Sequence, residues 1–159
     1  MQTKTPIAQM KTIVIPSDFS QNSVDVAETV IRNSDESVKI IFTHLFRTGD
    51  GIQEMLFSTY RKKEYEYVSE AFRQQCDILQ DLFGRRFHSY EIDFFYGNRL
   101  APFKNFLDYH GADGIAYSVD YGVPALCKSS LDAIKVVQKA GLPLYEVVGA
   151  EKNVLVDKF

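Results

Sequence analysis

Asp18, His44 and the triplet Lys128-Ser129-Ser130 are the groups in this chain whose type and position could support chemistry. Asp18 stands just past a short β-branched run, between Ser17 and Ser20, where a carboxylate can contact a ligand or cap a following helix. Ser129 and Ser130 precede the last helical stretch and can bind an anion or cap that helix. Lys128 beside them either neutralises a phosphate or stands solvated at the surface. His44 follows the second apolar run, placed as a base at the mouth of a crevice or as a packing residue at a strand end. Cys127 is a reactive thiol or a small apolar residue. His44, His88 and His110 are scattered without metal-ligand spacing, so no metal site is expected. G-x-S-x-G, H-E-x-x-H, G-x-x-x-x-G-K-[ST] and G-x-G-x-x-G are all absent. No catalytic residue is assigned, and nothing specific points to an enzyme.

Alternating apolar runs and helix-period stretches supply the elements that hold these groups. Thr12-Ile13-Val14-Ile15 reads as a first strand buried on both faces, and Val24, Ala27, Val30 and Ile31 share one face of a helix ending near Asn33. Val38–Phe42 is a second strand, followed by a turn signal at Gly49-Asp50-Gly51. Ile52 to Phe83 reads as a short helix or lid, then a longer helix carrying Ala71, Phe72, Cys76 and Leu79 and stopped at Gly84. Phe87–Tyr96 is the expected third strand. Leu100 to His110 is a helix ended by Gly111, and Gly114–Tyr117 is a fourth strand. A loop with Gly122 and Pro124 leads to a last helix carrying Leu131, Ile134, Val137 and Ala140. Leu142–Val148 is a fifth strand, with Val154-Leu155-Val156 as a short addition.

Strands alternating with helices predict an α/β fold: a three-layer, doubly wound sandwich on a five-stranded, mostly parallel sheet. Its ligand crevice lies at the carboxyl ends of the strands, where strand order reverses. The chain of 159 residues reads as a single domain, 1–159, with 1–10 as a tail. Apolar residues at 45% and charged residues at 25% argue against disorder. A formal net charge of −3 gives no reason to expect nucleic acid or an anionic membrane, and Arg61-Lys62-Lys63 and Arg85-Arg86 read as solvated surface. Cys76 and Cys127 form no C-x-x-C pair, Met1–Met10 lacks the apolar core of a signal peptide, and no apolar stretch is long enough to span a membrane. A cytoplasmic protein is expected.

Ile13-Val14-Ile15-Pro16-Ser17-Asp18-Phe19-Ser20 resembles the opening of universal stress proteins. The spacing of Gly97, Phe103, Leu107 and Gly111-Ala112-Asp113 agrees, as does Leu142-Pro143-Leu144 against a Cys-Pro-Val-like strand start. The resemblance implies the adenine nucleotide alpha hydrolase-like version of this fold. For members that bind ATP it places adenine near Asp18 and phosphates on a loop of the form Gly, two residues, Gly, nine residues, Gly and Ser or Thr. Here those glycines fall on Ser118, Tyr121 and Ser130, with Leu131 in the last place and Gly122 the one glycine left. Asp120 and Asp132 bring negative charge to the same place. The reading is therefore a non-enzymatic stress-response and interaction module, a homodimer able to contact other proteins or a small ligand in the crevice, without ATP or another cofactor. The resemblance also places a subunit-pairing edge on the last strand, at Leu144, Tyr145, Val147 and Val148. The alternative is a protein that binds ATP or AMP through an altered loop, with slow hydrolysis.

Overall fold

A strand covered on both faces needs apolar side chains on both sides of its pleat, and Ile13, Val14 and Ile15 meet that need. Each is at most 1% exposed in the computed structural model, and such burial contributes about 1.5–3 kcal/mol per side chain. They form the centre of β1 (Met10–Pro16). The structure describes residues 10–48 and 66–148 and the backbone of 154–158. The expected tail up to residue 9, the Gly49-Asp50-Gly51 turn and the short helix or lid from Ile52 to residue 65 lie outside the described residues.

After β1 come α1 (Gln21–Arg32), β2 (Ser37–Thr43), a short β3 (Leu45–Phe46) and α2 (Glu70–Phe83). Then follow β4 (Phe87–Ile92), a short β5 (Phe95–Tyr96), α3 (Leu100–His110), β6 (Gly114–Ser118), α4 (Ala133–Gln138), β7 (Leu144–Val148) and β8 (Val154–Lys158). The main sheet is six-stranded, in the order β4-β2-β1-β6-β7-β8. Its β4-β2-β1-β6-β7 part is parallel throughout, and β8 joins antiparallel. Ile13, Ile15, Ile40 and Phe42 share one core with α1 and α2, including Ala27, Ile31, Phe72 and Cys76. Val14, Ile41, Ile115 and Tyr117 share the other with Phe103 and Leu107 of α3 and Val137 of α4. Helices therefore cover both faces, which is the doubly wound arrangement.

The expected third strand is two strands. β4 ends at Ile92, Asp93 N donates to Phe42 O, and β5 pairs with β3 in a separate two-stranded sheet. The alternation of Tyr90, Ile92 and Phe94 runs through the break because all three side chains still pack on one core while the backbone changes partner. The last helix is also shorter than its apolar period. Leu131 N donates to Leu45 O, Arg47 N donates to Ser129 O, and Ser130 makes an antiparallel bridge with Phe46. Ser130 is thus bridged alongside β3, and Asp132 is the cap of α4, its carboxylate accepting from Lys135 N. Neither Ser129 nor Ser130 is the N-cap residue of α4. The fifth strand begins at Leu144 rather than Leu142.

Leu144, Tyr145, Val147 and Val148 do not form an open edge. β8 pairs along the whole of β7, from Leu144↔Lys158 to Val148↔Val154, so the outer edge on this side belongs to β8.

Gly114 opens β6 under the ring of Tyr145. A Cβ there would lie 2.5 Å from Tyr145 Cε2 and 3.3 Å from Pro143 O. Gly114→Ala is expected to cost about 1–3 kcal/mol by overpacking. Urea unfolding checks this, and an unchanged midpoint would show that Tyr145 moves aside freely.

Candidate functional site

Strand order reverses between β1 and β6, so the crevice of this fold opens where these strands end, at Pro16 and Ser118. Just past β1, Ser17 is buried, with its N–H on Thr43 O at 2.7 Å. Its hydroxyl accepts from Phe19 N at 2.7 Å and shares a 2.6 Å hydrogen bond with Ser23 Oγ. The turn closed in this way holds Phe19 at φ 61°, the one non-glycine residue with positive φ among those described. A phenylalanine in this region is strained, and it persists because the ring is locked against Phe72 and Phe94 at 5.6 and 5.3 Å between centroids.

Asp18 is turned outward by this geometry. Its Oδ1 accepts from Ser20 N at 3.2 Å and from the Ser20 hydroxyl at 2.6 Å. Its Oδ2 accepts from the Tyr121 hydroxyl at 2.7 Å. Ser20, not Asp18, is the cap residue of α1. Tyr121 is 43% exposed and comes from a turn in which Tyr121 N donates to Ser118 Oγ and Gly122 N to Ser118 O. Gly122 has φ 69°, which only glycine adopts cheaply. The Tyr121 hydroxyl is thus bonded to Asp18 across the mouth of the crevice.

His44 is 1% exposed and lies between the two loops. Nδ1 is 2.7 Å from Ser17 O, and Nε2 is 2.8 Å from Ser130 Oγ. A carbonyl only accepts, so Nδ1 carries the proton. Ser130 Oγ already accepts from Leu126 N at 2.9 Å and Cys127 N at 3.2 Å, so its hydrogen goes to Nε2. The imidazole is therefore neutral. Burial lowers its pKa from the ordinary value, against the opposing pull of the Ser17 carbonyl and the Asp18 charge. A serine hydroxyl on a histidine can be a nucleophile, but here both lone pairs of Ser130 Oγ are taken by backbone N–H groups. The pair bolts the 126–130 loop to the end of β2.

Ser17, Asp18, His44, Ser118, Tyr121, Gly122 and Ser130 are thus brought together. Lys128 is exposed and makes no ion pair among the described residues. Ser129 is used through its carbonyl, which accepts from Arg47 N at 2.6 Å. His88 bonds Ser89, and His110 meets Asp93 at 2.8 Å, both away from the crevice. Cys127 is half-buried; Cys76 is buried, and burial, with the charge of Asp77, pushes its thiol up to about 12. Phe19 is the site residue that sequence reasoning missed; its only signal was a bulky ring between Asp18 and Ser20. No helix among the described residues is long and apolar enough to cross a membrane.

No family model and no curated protein matches the sequence. Solved structures do match in fold. UspA from Lactobacillus plantarum, a universal stress protein, is 13% identical over 89% of this chain and 98% of its own, with a TM-score of 0.56. The hypothetical protein PH0823 is 16% identical over 94% and 99%, at 0.54. The hypothetical protein MJ0577, the subject of a structure-based assignment of biochemical function, is 15% identical over 87% and 96%, at 0.53. At these identities the likeness is one of fold, and the chain has the universal stress protein fold.

Proposed function

We propose that this chain is a universal stress protein-like module of the stress response that acts without catalysis, as a cytoplasmic homodimer contacting other proteins, and that its crevice does not take ATP. One observation carries the reading: six amides of the loop after β6 are already paired within the protein. Tyr121 and Gly122 donate to Ser118, Leu126 and Cys127 donate to Ser130 Oγ, Ser130 donates to Cys127 O, and Leu131 donates to Leu45 O. A phosphate cradle needs such N–H groups unpaired and pointing at the ligand. Opening them costs about 1 kcal/mol each, a cost that a loop with unpaired amides does not carry. The Tyr121 hydroxyl on Asp18 supports the same reading. The free thiols Cys76 and Cys127 fit a reducing compartment. Subunit pairing would use the outer edge of β8, which no other strand pairs among the described residues.

Calorimetry with ATP at millimolar concentration is expected to give no binding heat, and light scattering to report a dimer. An ATP heat that disappears in Asp18→Ala would instead establish the nucleotide-binding alternative. A monomer would remove the dimer.

A further inference from the structure

Away from the Asp18 crevice, a cavity of about 170 Å³ opens between the start of α3 and α4. Leu100, Leu131 and Val136, all half-buried, form its apolar part, and Arg99, Lys135 and Lys139 bring three cations to it. No Asp or Glu lines it, in a chain whose formal net charge is −3. Among the described residues Arg99 and Lys139 have no carboxylate within ion-pair distance, and Lys135 reaches Asp132 only at 3.9 Å, with both side chains well exposed. Lys135 and Lys139 are four residues apart, at the spacing where like charges on a helix repel. The free protein thus keeps a cationic cluster over an apolar floor, with only Lys135 in ion-pair reach of a carboxylate among the described residues, and an anion between the cations would relieve the repulsion.

We propose that this cavity binds a small organic anion, a phosphate monoester or a carboxylate, carried on a compact apolar body. The anionic group meets Arg99, Lys135 and Lys139, and the body rests on Leu100, Leu131 and Val136. A dry cavity of about 150 Å³ accommodates a benzene ring, so the body is of single-ring size. This site uses neither Asp18 nor the amides of the loop after β6, and an ATP heat in the crevice would leave it standing.

Phenyl phosphate, benzoate and inorganic phosphate serve as probes in an amide NMR titration of the whole chain. Phenyl phosphate or benzoate is expected to shift the Leu100, Leu131 and Val136 amides saturably, with a dissociation constant on the order of 0.1–1 mM. Whichever probe binds tighter identifies the head group. Affinity should fall about tenfold or more in the double variant Arg99→Gln, Lys139→Gln, and should weaken as salt rises. Both substitutions are at exposed positions, so folding is retained and is checked in the same spectra. Absence of saturable shifts, unchanged affinity in the double variant, or inorganic phosphate binding as tightly as phenyl phosphate would each overturn the proposal.

Discussion

His44→Ala is expected to lower the stability of the protein by about 3–5 kcal/mol, because it removes the ring and leaves two polar groups without partners. Ser17 O loses its donor at 2.7 Å, and the Ser130 hydroxyl loses its acceptor at 2.8 Å. Ser130 in turn is the acceptor that gathers the Leu126 and Cys127 amides, so the loop after β6 should loosen first. Urea unfolding measures the loss, and faster amide exchange at Leu126 and Cys127 locates it. The same network predicts acid sensitivity. The folded protein holds His44 neutral with a lowered pKa, whereas the unfolded chain takes up a proton near about pH 6.5. Above that pH both states are neutral at this residue and it contributes no pH dependence. Below it the unfolded state binds the additional proton, so stability falls by up to about 1.4 kcal/mol per pH unit until the folded pKa is reached. His44→Ala should lack this component, and the difference between the two pH profiles isolates it from the other titrating groups. Parallel profiles between about pH 6.5 and 5 would show that His44 is protonated in the folded state.

Phe19 makes a prediction whose sign is unusual. Truncating a ring this deeply buried costs about 3–5 kcal/mol, and Phe19 is 4% exposed against Phe72 and Phe94. Glycine ordinarily makes a worse replacement than alanine, by about 0.5–1 kcal/mol of backbone entropy. At φ 61° the order should invert: alanine keeps a left-handed strain of about 1–2 kcal/mol that glycine does not carry. Phe19→Gly is therefore expected to be more stable than Phe19→Ala by about 1 kcal/mol, measured as paired denaturation midpoints. The ordinary order would mean that the Ser17 turn relaxes once the ring is gone. The turn that strains Phe19 also aims Asp18 at the Tyr121 hydroxyl.

Much of this architecture is legible in the residues because burial is local. Ile13-Val14-Ile15 is apolar on both faces and Tyr90, Ile92 and Phe94 alternate, and such periods record which side of the backbone meets a core. Gly111, at φ 65°, marks the end of α3 for an equally local reason. The same locality explains the errors. A period in side chains reads straight through Asp93, where the backbone leaves one sheet for another while its side chains stay in one core. Ser129-Ser130 ahead of an apolar helical stretch looks like a cap, but pairing with β3 claimed that backbone first.

What the sequence alone determined is the alternation of the main-sheet strands with helices, the parallel and doubly covered sheet they require, and the presence of Asp18 at the end of the first strand. What only the tertiary structure decided is which groups occupy one another. The Tyr121 hydroxyl reaches a carboxylate 103 residues away, and His44 finds a hydroxyl 86 residues away. The scarcity of glycine in the loop after β6 does not say that the amides of Tyr121, Gly122, Leu126, Cys127 and Leu131 turn inward onto Ser118, Ser130 and Leu45. Hydrophobic periodicity is a property of each segment, whereas hydrogen-bond satisfaction belongs to the folded chain as a whole, because every donor competes for acceptors that the fold brings near.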